Sequence, residues 1–253
     1  MKITLLGTGT STGVPIVGCT CAVCTSADPH DRRLRCSAMI ETERSRILID
    51  CGPDFRQQML QVPFRHIDAI FFTHEHADHV GGIDDLRPYS VFGDVSLYAD
   101  DFCATHLEER LPYCLKRNSY PGVPQLRMNR IAPHESVLIN DLKVTAIQVM
   151  HGKLPILGYR INDFAYITDM LHMPETEYPL LDGVRVAVVN ALRHAPHPTH
   201  HTLEQAIAFC RQMRFEHVYF THISHDLGLH AAEQAALPEG FTLGYDMLSF
   251  ECD

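Results

Sequence analysis

The stretch Thr73–Gly82, Thr-His-Glu-His-Ala-Asp-His-Val-Gly-Gly, places three histidines and two acids within six consecutive residues. It directly follows residues 67–72, Ile-Asp-Ala-Ile-Phe-Phe, whose β-branched and aromatic content is typical of a buried strand. His74 and His76 face the same way in extended chain, because alternate side chains share a face, so both can bind one metal ion. Asp78 and His79, on the following turn, can reach a second ion. The spacing therefore predicts a two-metal site at the end of a strand.

Composition predicts an ordinary globular protein. The chain has 253 residues, of which 45% are hydrophobic, and this length allows one large domain or two small ones. No apolar run approaches the roughly 18 residues of a membrane span, and Met1–Gly7 does not resemble a signal peptide, so we expect a cytoplasmic protein. The net charge of −10 and the absence of a basic run argue against a nucleic-acid partner, but they do not exclude a phosphate substrate, because bound divalent ions would offset part of the negative charge.

The nine cysteines are unevenly distributed, and Cys19, Cys21 and Cys24 form a C-x-C-x-x-C motif. This clustering favours metal binding over disulfides. Three thiolates lack one ligand of a closed tetrahedral zinc site, so a fourth must come from elsewhere in the chain. We expect the remaining cysteines to be small buried apolar residues: Cys36, Cys51, Cys103, Cys114, Cys210 and Cys252.

Other polar residues also follow predicted strands, which are recognised by alternating or continuous apolar residues. They are Asp50, His151, Asp169 and His222. The corresponding strands are predicted over residues 46–49, 143–150, 164–168 and 218–220. Strands that alternate with helical segments predict an α/β protein, with these four side chains gathered at strand ends.

These motifs resemble the signature of the metallo-β-lactamase-fold hydrolases, and the matches occur in order over nearly the whole chain. The C-x-C-x-x-C motif and Thr221–His225, Thr-His-Ile-Ser-His, are most similar to the cyclic phosphodiesterases of the carbon–phosphorus lyase pathway. The resemblance implies a single domain over residues 1–253, an αββα sandwich with two mixed sheets flanked by helices. It also implies a homodimer and a small phosphodiester substrate, for which a cyclic ribose phosphate is the nearest analogy.

The resemblance implies ligand sets for three ions. Two divalent ions, zinc or manganese or iron, would lie in the active site, and one structural zinc would bind the cysteines. The first active-site ion would take His74, His76 and His151. The second would take Asp78, His79 and His222, with Asp169 bridging the two and Asp50 bracing the loop. The structural zinc would take Cys19, Cys21, Cys24 and His225.

His200 resembles a histidine that is not a ligand and that helps the leaving group depart in the phosphodiesterases. It would act as general acid while water activated between the ions attacks phosphorus, and Asp78 counts with it as a catalytic residue. His201 is the competing assignment for the acid. His200-x-Thr202 also resembles an element of tRNA 3′-processing nucleases, and Asn190 stands where the relatives have an acid.

Three other functions remain open at this point. The same ions serve thioester or lactone hydrolysis, tRNA 3′ processing is a second alternative, and a non-catalytic relative from cofactor biosynthesis is a third. The cysteine motif, Thr221–His225 and His200 favour the phosphodiester. Residues 112–124, which contain Pro112, Pro121 and Pro124, are predicted to be a loop that either shapes substrate choice or only connects two elements.

Overall fold

Two mixed β-sheets stack face to face in the computed structural model, which describes residues 1–115 and 122–252. The first sheet has the strand order β14-β1-β2-β3-β4-β5-β6, and the second has the order β13-β12-β11-β10-β9-β8-β7. The strands are β1 (Lys2–Gly7), β2 (Ser37–Glu41), β3 (Arg46–Ile49), β4 (Ala69–Phe71), β5 (Val95–Ala99), β6 (Leu126–Arg130), β7 (Ser136–Ile139), β8 (Leu142–His151), β9 (Leu154–Ile161), β10 (Phe164–Ile167), β11 (Val186–Asn190), β12 (His217–Thr221), β13 (Phe241–Leu243) and β14 (Ser249–Glu251).

Helices cover the outer faces of both sheets. The α-helices are α1 (Phe55–Met59), α2 (Ala77–Val80), α3 (Asp101–Arg110), α4 (Pro112–Leu115), α5 (Leu203–Met213) and α6 (His230–Ala236). Short 3-10 helices span Pro29–Asp31, Ile83–Phe92 and Glu175–Leu181. Helix α5 begins after Thr202, whose Oγ1 accepts from the backbone N–H of Gln205 while Gln205 Oε1 accepts from that of Thr202. Such a capping box stabilises a helix start by roughly 1 kcal/mol.

Three apolar clusters produce four layers. Between the sheets, Leu5, Phe71 and Tyr159 belong to one cluster of fully buried side chains. Outside the first sheet, Phe55 of α1 and Leu107 of α3 join a second. Outside the second sheet, residues of α5 complete a third. Each sheet therefore buries both faces, and the predicted αββα sandwich is confirmed.

Strand direction sets which residues share an edge. Strands β3, β4 and β5 run parallel, so their carboxyl ends lie on one edge of the first sheet. In the second sheet β10, β11 and β12 run parallel, and β8 has the same direction because it and β10 both pair antiparallel with β9. Ligands bind at the carboxyl ends of parallel strands, where side chains meet outside the backbone ladder.

Two predictions of local structure need correction. Residues 112–115 of the predicted loop form α4, where the Tyr113 hydroxyl donates to Asp84 Oδ1 over 3.0 Å. Residues 116–121 of that predicted loop lie outside the described residues. The sequence pattern also does not predict β6 and β7, because no side chain of these two edge strands is fully buried. Across residues 1–115 and 122–252, no helix is long and apolar enough to cross a membrane.

Candidate metal centre

Five strand ends bring polar side chains to one site. Asp50 follows β3, His74 follows β4, His151 ends β8, Asp169 follows β10 and His222 follows β12. Asp50, Asp169 and His222 have left-handed backbone conformations, with φ of 62°, 60° and 56°. Residues other than glycine rarely adopt this conformation, and it clusters at functional sites where the surroundings fix it. We call the seven residues gathered here the strand-edge cluster: His74, His76, Asp78, His79, His151, Asp169 and His222.

One half of the strand-edge cluster contains three imidazoles. Ligand nitrogens of His74, His76 and His151 all lie within 4.8 Å of one another. His151 Nδ1 is 2.9 Å from the carbonyl oxygen of Asp169, so this nitrogen donates and Nε2 is left as the free acceptor. His74 Nε2 is buried without a hydrogen-bond partner among the described residues.

The other half joins two imidazoles to a carboxylate. Asp78 Oδ2 is 3.2 Å from His79 Nε2 and 3.6 Å from His222 Nε2. Behind His79, Nδ1 donates to Asp50 Oδ2 over 2.7 Å, and Asp50 also accepts from the backbone and hydroxyl of Thr73. Such an outer carboxylate fixes the tautomer that presents Nε2 as a metal ligand.

Asp169 lies between the two halves. Its Oδ2 is 3.4 Å from His79 Nε2 and 3.7 Å from His74 Nε2. Its Oδ1 is 3.3 Å from His222 Nε2 and accepts from the Thr168 hydroxyl over 3.0 Å. A single carboxylate thus contacts imidazoles of both halves, which suits a bridging ligand.

The electrostatics of the site favour a cation. Burial opposes ionisation of Asp169, but the neighbouring imidazoles of His222 and His79 hold its pKa well below the usual range. Burial likewise opposes protonation of His79, yet the carboxylates of Asp169, Asp50 and Asp78 raise its pKa well above that of free histidine. The three carboxylates therefore create a position that attracts positive charge, and a proton on His79 occupies it.

The donor set fits divalent ions. Both nitrogens of His222 and the Nε2 atoms of His74 and His79 are buried, and none has a hydrogen-bond partner in the described part of the chain. Buried polar atoms without partners are costly, and a metal ion would satisfy them. Imidazole nitrogens and carboxylate oxygens are ligands that zinc, manganese and iron all accept.

A second cluster, the cysteine cluster, consists of Cys19, Cys21, Cys24 and His225. The three sulfurs lie 3.4, 3.3 and 3.5 Å from His225 Nδ1. Tetrahedral zinc with ordinary Zn–S and Zn–N bonds separates sulfur from nitrogen by about 3.5 Å, so the four donors fit one zinc ion. The backbone N–H of Cys24 and a hydrogen bond with His225 lower the pKa of Cys21 to about 6, which favours the thiolate that metals bind.

His200 and His201 have different surroundings. The His200 ring centroid is 4.6 Å from that of His151 and 4.7 Å from that of His222, and a ring nitrogen groups with donor atoms of His151 and Asp169. The His201 ring instead packs 6.0 Å from Phe209 of α5. The structure therefore brings His200, and not His201, to the strand-edge cluster. Burial lowers the pKa of His200 to about 3 and that of His201 to about 4, so both imidazoles are neutral near pH 7.

Two residues near the site carry information that the sequence did not give. Asn190 Oδ1 accepts from the Met170 backbone N–H over 2.8 Å and its Nδ2 donates to the Met170 carbonyl over 3.0 Å. A carboxylate could not make the second bond, which explains an amide here. Cys36 is buried as expected, but its sulfur groups with donor atoms of His79, Asp169 and His222. Antiparallel pairing of β2 with β3 places Cys36 near Asp50, and the sequence carries no signal that separates this cysteine from the other buried ones.

The fold and the donor set are typical of the metallo-β-lactamase type. A family model described as the β-lactamase superfamily domain matches residues 45–223, and the chain belongs to this family. The resemblance inferred from the sequence motifs is thereby confirmed. A crystal structure titled as a new diphosphatase from the PhnP family superposes with a TM-score of 0.92 at 41% identity, covering 100% of this chain and 98% of that one.

Curated relatives include longer proteins. An octanoyltransferase of Porphyromonas gingivalis is 44% identical over 250 residues, which covers 98% of this chain and 51% of that protein. A ribonuclease Z of Bacillus licheniformis is 32% identical over 131 residues, covering 49% of this chain and 41% of that protein. The chain spans about half the length, or less, of these relatives.

Proposed function

We propose that this chain is a phosphodiesterase that hydrolyses small disubstituted phosphates, cyclic ones among them, with two divalent ions in the strand-edge cluster. The observation that carries the proposal is the position of Asp169, whose two oxygens lie within 3.7 Å of imidazole nitrogens of both halves that have no hydrogen-bond partner among the described residues. Such a bridge is the arrangement by which two ions clamp the attacking and leaving oxygens of one phosphorus centre.

The roles of the protein groups follow from their positions. His74, His76 and His151 would hold one ion, and Asp78, His79 and His222 the other. When bound, the ions would lower the pKa of water and neutralise charge on the phosphoryl oxygens. Asp50 orients His79, and the carbonyl of Asp169 orients His151. These contacts fix each imidazole before substrate arrives, so little reorganisation is needed during reaction.

His200 is the proposed proton donor to the leaving oxygen. Its ring lies against His151 and His222, which places it beside both proposed ions. Near pH 7 it is neutral and offers one N–H. A bound phosphate anion would raise the pKa of His200 by attraction, which assists transfer of that proton as negative charge grows on the leaving oxygen.

A phosphoanhydride is the second candidate bond. The observation that favours it is the 41% identity, over the full length of this chain, to a structure titled as a diphosphatase. Attack at phosphorus would use the same residues, and only the leaving group would differ. A phosphate leaving group is a much weaker base than an alkoxide, so it needs less help from His200.

Acyl chemistry is the third candidate. The octanoyltransferase relative is the observation that favours it, although its name describes a protein of which this chain covers 51%. A thioester carbonyl could occupy the same ions, since they polarise carbonyl and phosphoryl oxygens alike. A ribonuclease role is less favoured, because the net charge of −10 opposes binding of a long polyanion.

The proposal is tested by a substrate panel measured on protein of known metal content. The panel contains bis(4-nitrophenyl) phosphate, a cyclic ribose phosphodiester, a nucleoside diphosphate ester and an octanoyl thioester. We expect turnover of the two diesters that disappears in Asp169→Ala. Turnover of the nucleoside diphosphate ester alone, through its phosphoanhydride bond, would favour the second candidate over the diester. A metal-loaded protein that cleaves only the thioester would overturn the phosphorus chemistry altogether.

A further inference from the structure

The loop before α5 places a further histidine, His197, beside the strand-edge cluster. It lies three residues before His200, and the centroids of the two rings are 5.0 Å apart. The ring of His200 in turn lies against the rings of His151 and His222. His197 is half-buried, whereas His200 is buried. The ring of His197 therefore lies on the solvent side of His200, at the rim of the proposed active site.

Thr199 fixes the orientation of His197. The backbone N–H and the hydroxyl of Thr199 lie 3.4 and 3.2 Å from His197 Nδ1. The carbonyl of the same threonine is 3.1 Å from His151 Nδ1, and its methyl group packs on Gly152, where a Cβ would lie 2.9 Å from it. Thr199 thus connects His197 to the end of β8, which carries the proposed ligand His151.

These contacts determine which nitrogen of His197 can serve a ligand. A backbone N–H can only donate, so Nδ1 accepts and the proton of the neutral ring is on Nε2. Partial burial and the Arg193 guanidinium lower the pKa of His197, which favours this neutral form. Among residues 1–115 and 122–252, His197 Nε2 has no hydrogen-bond partner. An oriented N–H donor is therefore available beside His200.

We propose that His197 binds the leaving group of the diester, as a hydrogen-bond donor to an oxygen next to the one that His200 protonates. The inference rests on the proposed function, which puts the leaving oxygen at His200. Rings 5.0 Å apart can direct hydrogen bonds of about 2.9 Å to two oxygens on adjacent carbons. An ether or hydroxyl oxygen beside the leaving oxygen would satisfy both rings, whereas a hydrocarbon leaving group would satisfy His200 alone.

This contact would make His197 a residue that determines specificity. It would select oxygenated leaving groups over hydrocarbon ones of the same size. Because the ring is half-buried, water can replace a missing oxygen, and the selection should have the size of one ordinary hydrogen bond. His200 would act on every alkoxide, so the two histidines would differ in what they recognise.

The test compares two diesters of nearly equal shape. Bis(2-methoxyethyl) phosphate has an ether oxygen where dibutyl phosphate has a methylene group. We measure kcat/KM for both esters on protein of known metal content. We expect His197→Ala to lower kcat/KM for the ether ester by roughly three- to tenfold, with little change for the dibutyl ester. The difference in basicity between the two alkoxides is the same for both proteins, so it cancels from this comparison.

Three further variants serve as matched controls. His197→Gln keeps an N–H donor and should restore part of the preference for the ether ester. His194 belongs to the same loop, but its ring nitrogens lie 2.7 and 3.0 Å from Glu204 and Glu233, so His194→Ala should keep the wild-type preference. His200→Ala should lower turnover of both esters, since both leave as alkoxides.

The contrary outcomes separate this inference from the proposed function. Equal losses for both esters in His197→Ala, or no loss for either, would show that His197 does not bind the leaving group, while the phosphodiesterase stands. The same holds if the wild type cleaves bis(4-nitrophenyl) phosphate but not the ether ester. Metal-loaded wild-type protein that cleaves no diester would overturn the proposed function and this role with it. If His197→Ala fails to fold, His197→Phe, which keeps a ring without a donor, decides the question.

Discussion

The cysteine cluster and the strand-edge cluster share one turn of chain, since His225 of the first follows His222 of the second by three residues. They are nevertheless built for different purposes. Three sulfurs of the cysteine cluster lie within 3.5 Å of one nitrogen, and these four donors fit the tetrahedron of a single ion. The strand-edge cluster spreads its donors over two centres that Asp169 joins. A closed donor set supports a fold, whereas a divided one leaves coordination positions for substrate and water.

The origin of the donors differs as well. Three members of the cysteine cluster come from one N-terminal loop and are partly exposed, and only His225 comes from the distant half of the chain. The strand-edge cluster takes its members from the ends of strands in both sheets, and several of its nitrogens are buried with no hydrogen-bond partner in residues 1–115 and 122–252. We therefore expect loss of the first to reduce stability and loss of the second to reduce rate.

The largest effect on activity is expected for Asp169→Asn. The amide keeps the shape but loses the charge that both halves share, so the two active-site ions should be lost while the zinc of the cysteine cluster stays. Loss of several kcal/mol of transition-state stabilisation corresponds to a decrease in diester turnover of about 10³-fold or more. Turnover with metal analysis checks this, and the control is Asp163→Asn, which changes a half-buried aspartate paired with Arg185. Full metal content in Asp169→Asn would contradict the bridging role.

His200→Ala should have the next largest effect, and its size should depend on the leaving group. With an alkyl leaving group, loss of a proton donor typically lowers the rate by 10²- to 10⁴-fold. With 4-nitrophenolate, a weak base, the effect should be much smaller. The control His201→Ala should behave like wild type with both, because its ring packs on Phe209. Equal losses for both leaving groups in His200→Ala would exclude proton donation.

Asp50→Asn should weaken the second metal position without emptying it. Asp50 accepts from His79 Nδ1 and from Thr73, and an amide can keep only part of this pattern. Outer-shell losses of this type reduce metal affinity by roughly 10- to 100-fold. Metal titration of the chelator-treated variant measures it, with Asp54→Asn, whose carboxylate pairs with Arg35, as the control. Unchanged affinity would mean that Asp50 only supports the turn.

Cys24→Ser should have the smallest effect on rate and the clearest effect on stability. Without the closed zinc site the N-terminal loop loses its connection to His225. We expect the free energy of unfolding to fall by about 3 kcal/mol, which lowers Tm by roughly 6–12 °C for a protein of this size. Thermal unfolding and metal analysis check this beside the exposed control Thr20→Ala. A folded Cys24→Ser protein that has lost diester turnover would contradict the expectation that the cysteine cluster affects stability and the strand-edge cluster affects rate.

Most of the architecture could be predicted from sequence because the candidate ligands lie in short motifs or directly after predicted strands. Residues 73–82 carry the spacing of a metal motif directly after an apolar strand, and Asp50, Asp169 and His222 each end a strand of their own. The fold class and the family followed from these motifs in order. The ligand assignments and the function of His200 remain proposals, supported by the distances between their atoms.

What the sequence could not give depends on tertiary packing. The thiol of Cys36 looks like any buried cysteine until sheet pairing places it beside His79. The choice between His200 and His201 depends on the direction in which the loop before α5 turns each ring, and adjacent residues give no sequence signal for that. Strands β6 and β7 lie at sheet edges and have no fully buried side chain, so their apolar periodicity is weak.

The most direct test of the account is diester turnover measured against the number of ions bound per chain. Chelator-treated wild-type protein and Cys24→Ser are titrated with zinc while bound metal and rate are recorded together. The account predicts that wild-type activity reaches its maximum at three ions and that Cys24→Ser reaches the same maximum at two. Full activity in Cys24→Ser with one ion, or a rate that follows occupancy of the cysteine cluster, would contradict a divided active site bridged by Asp169.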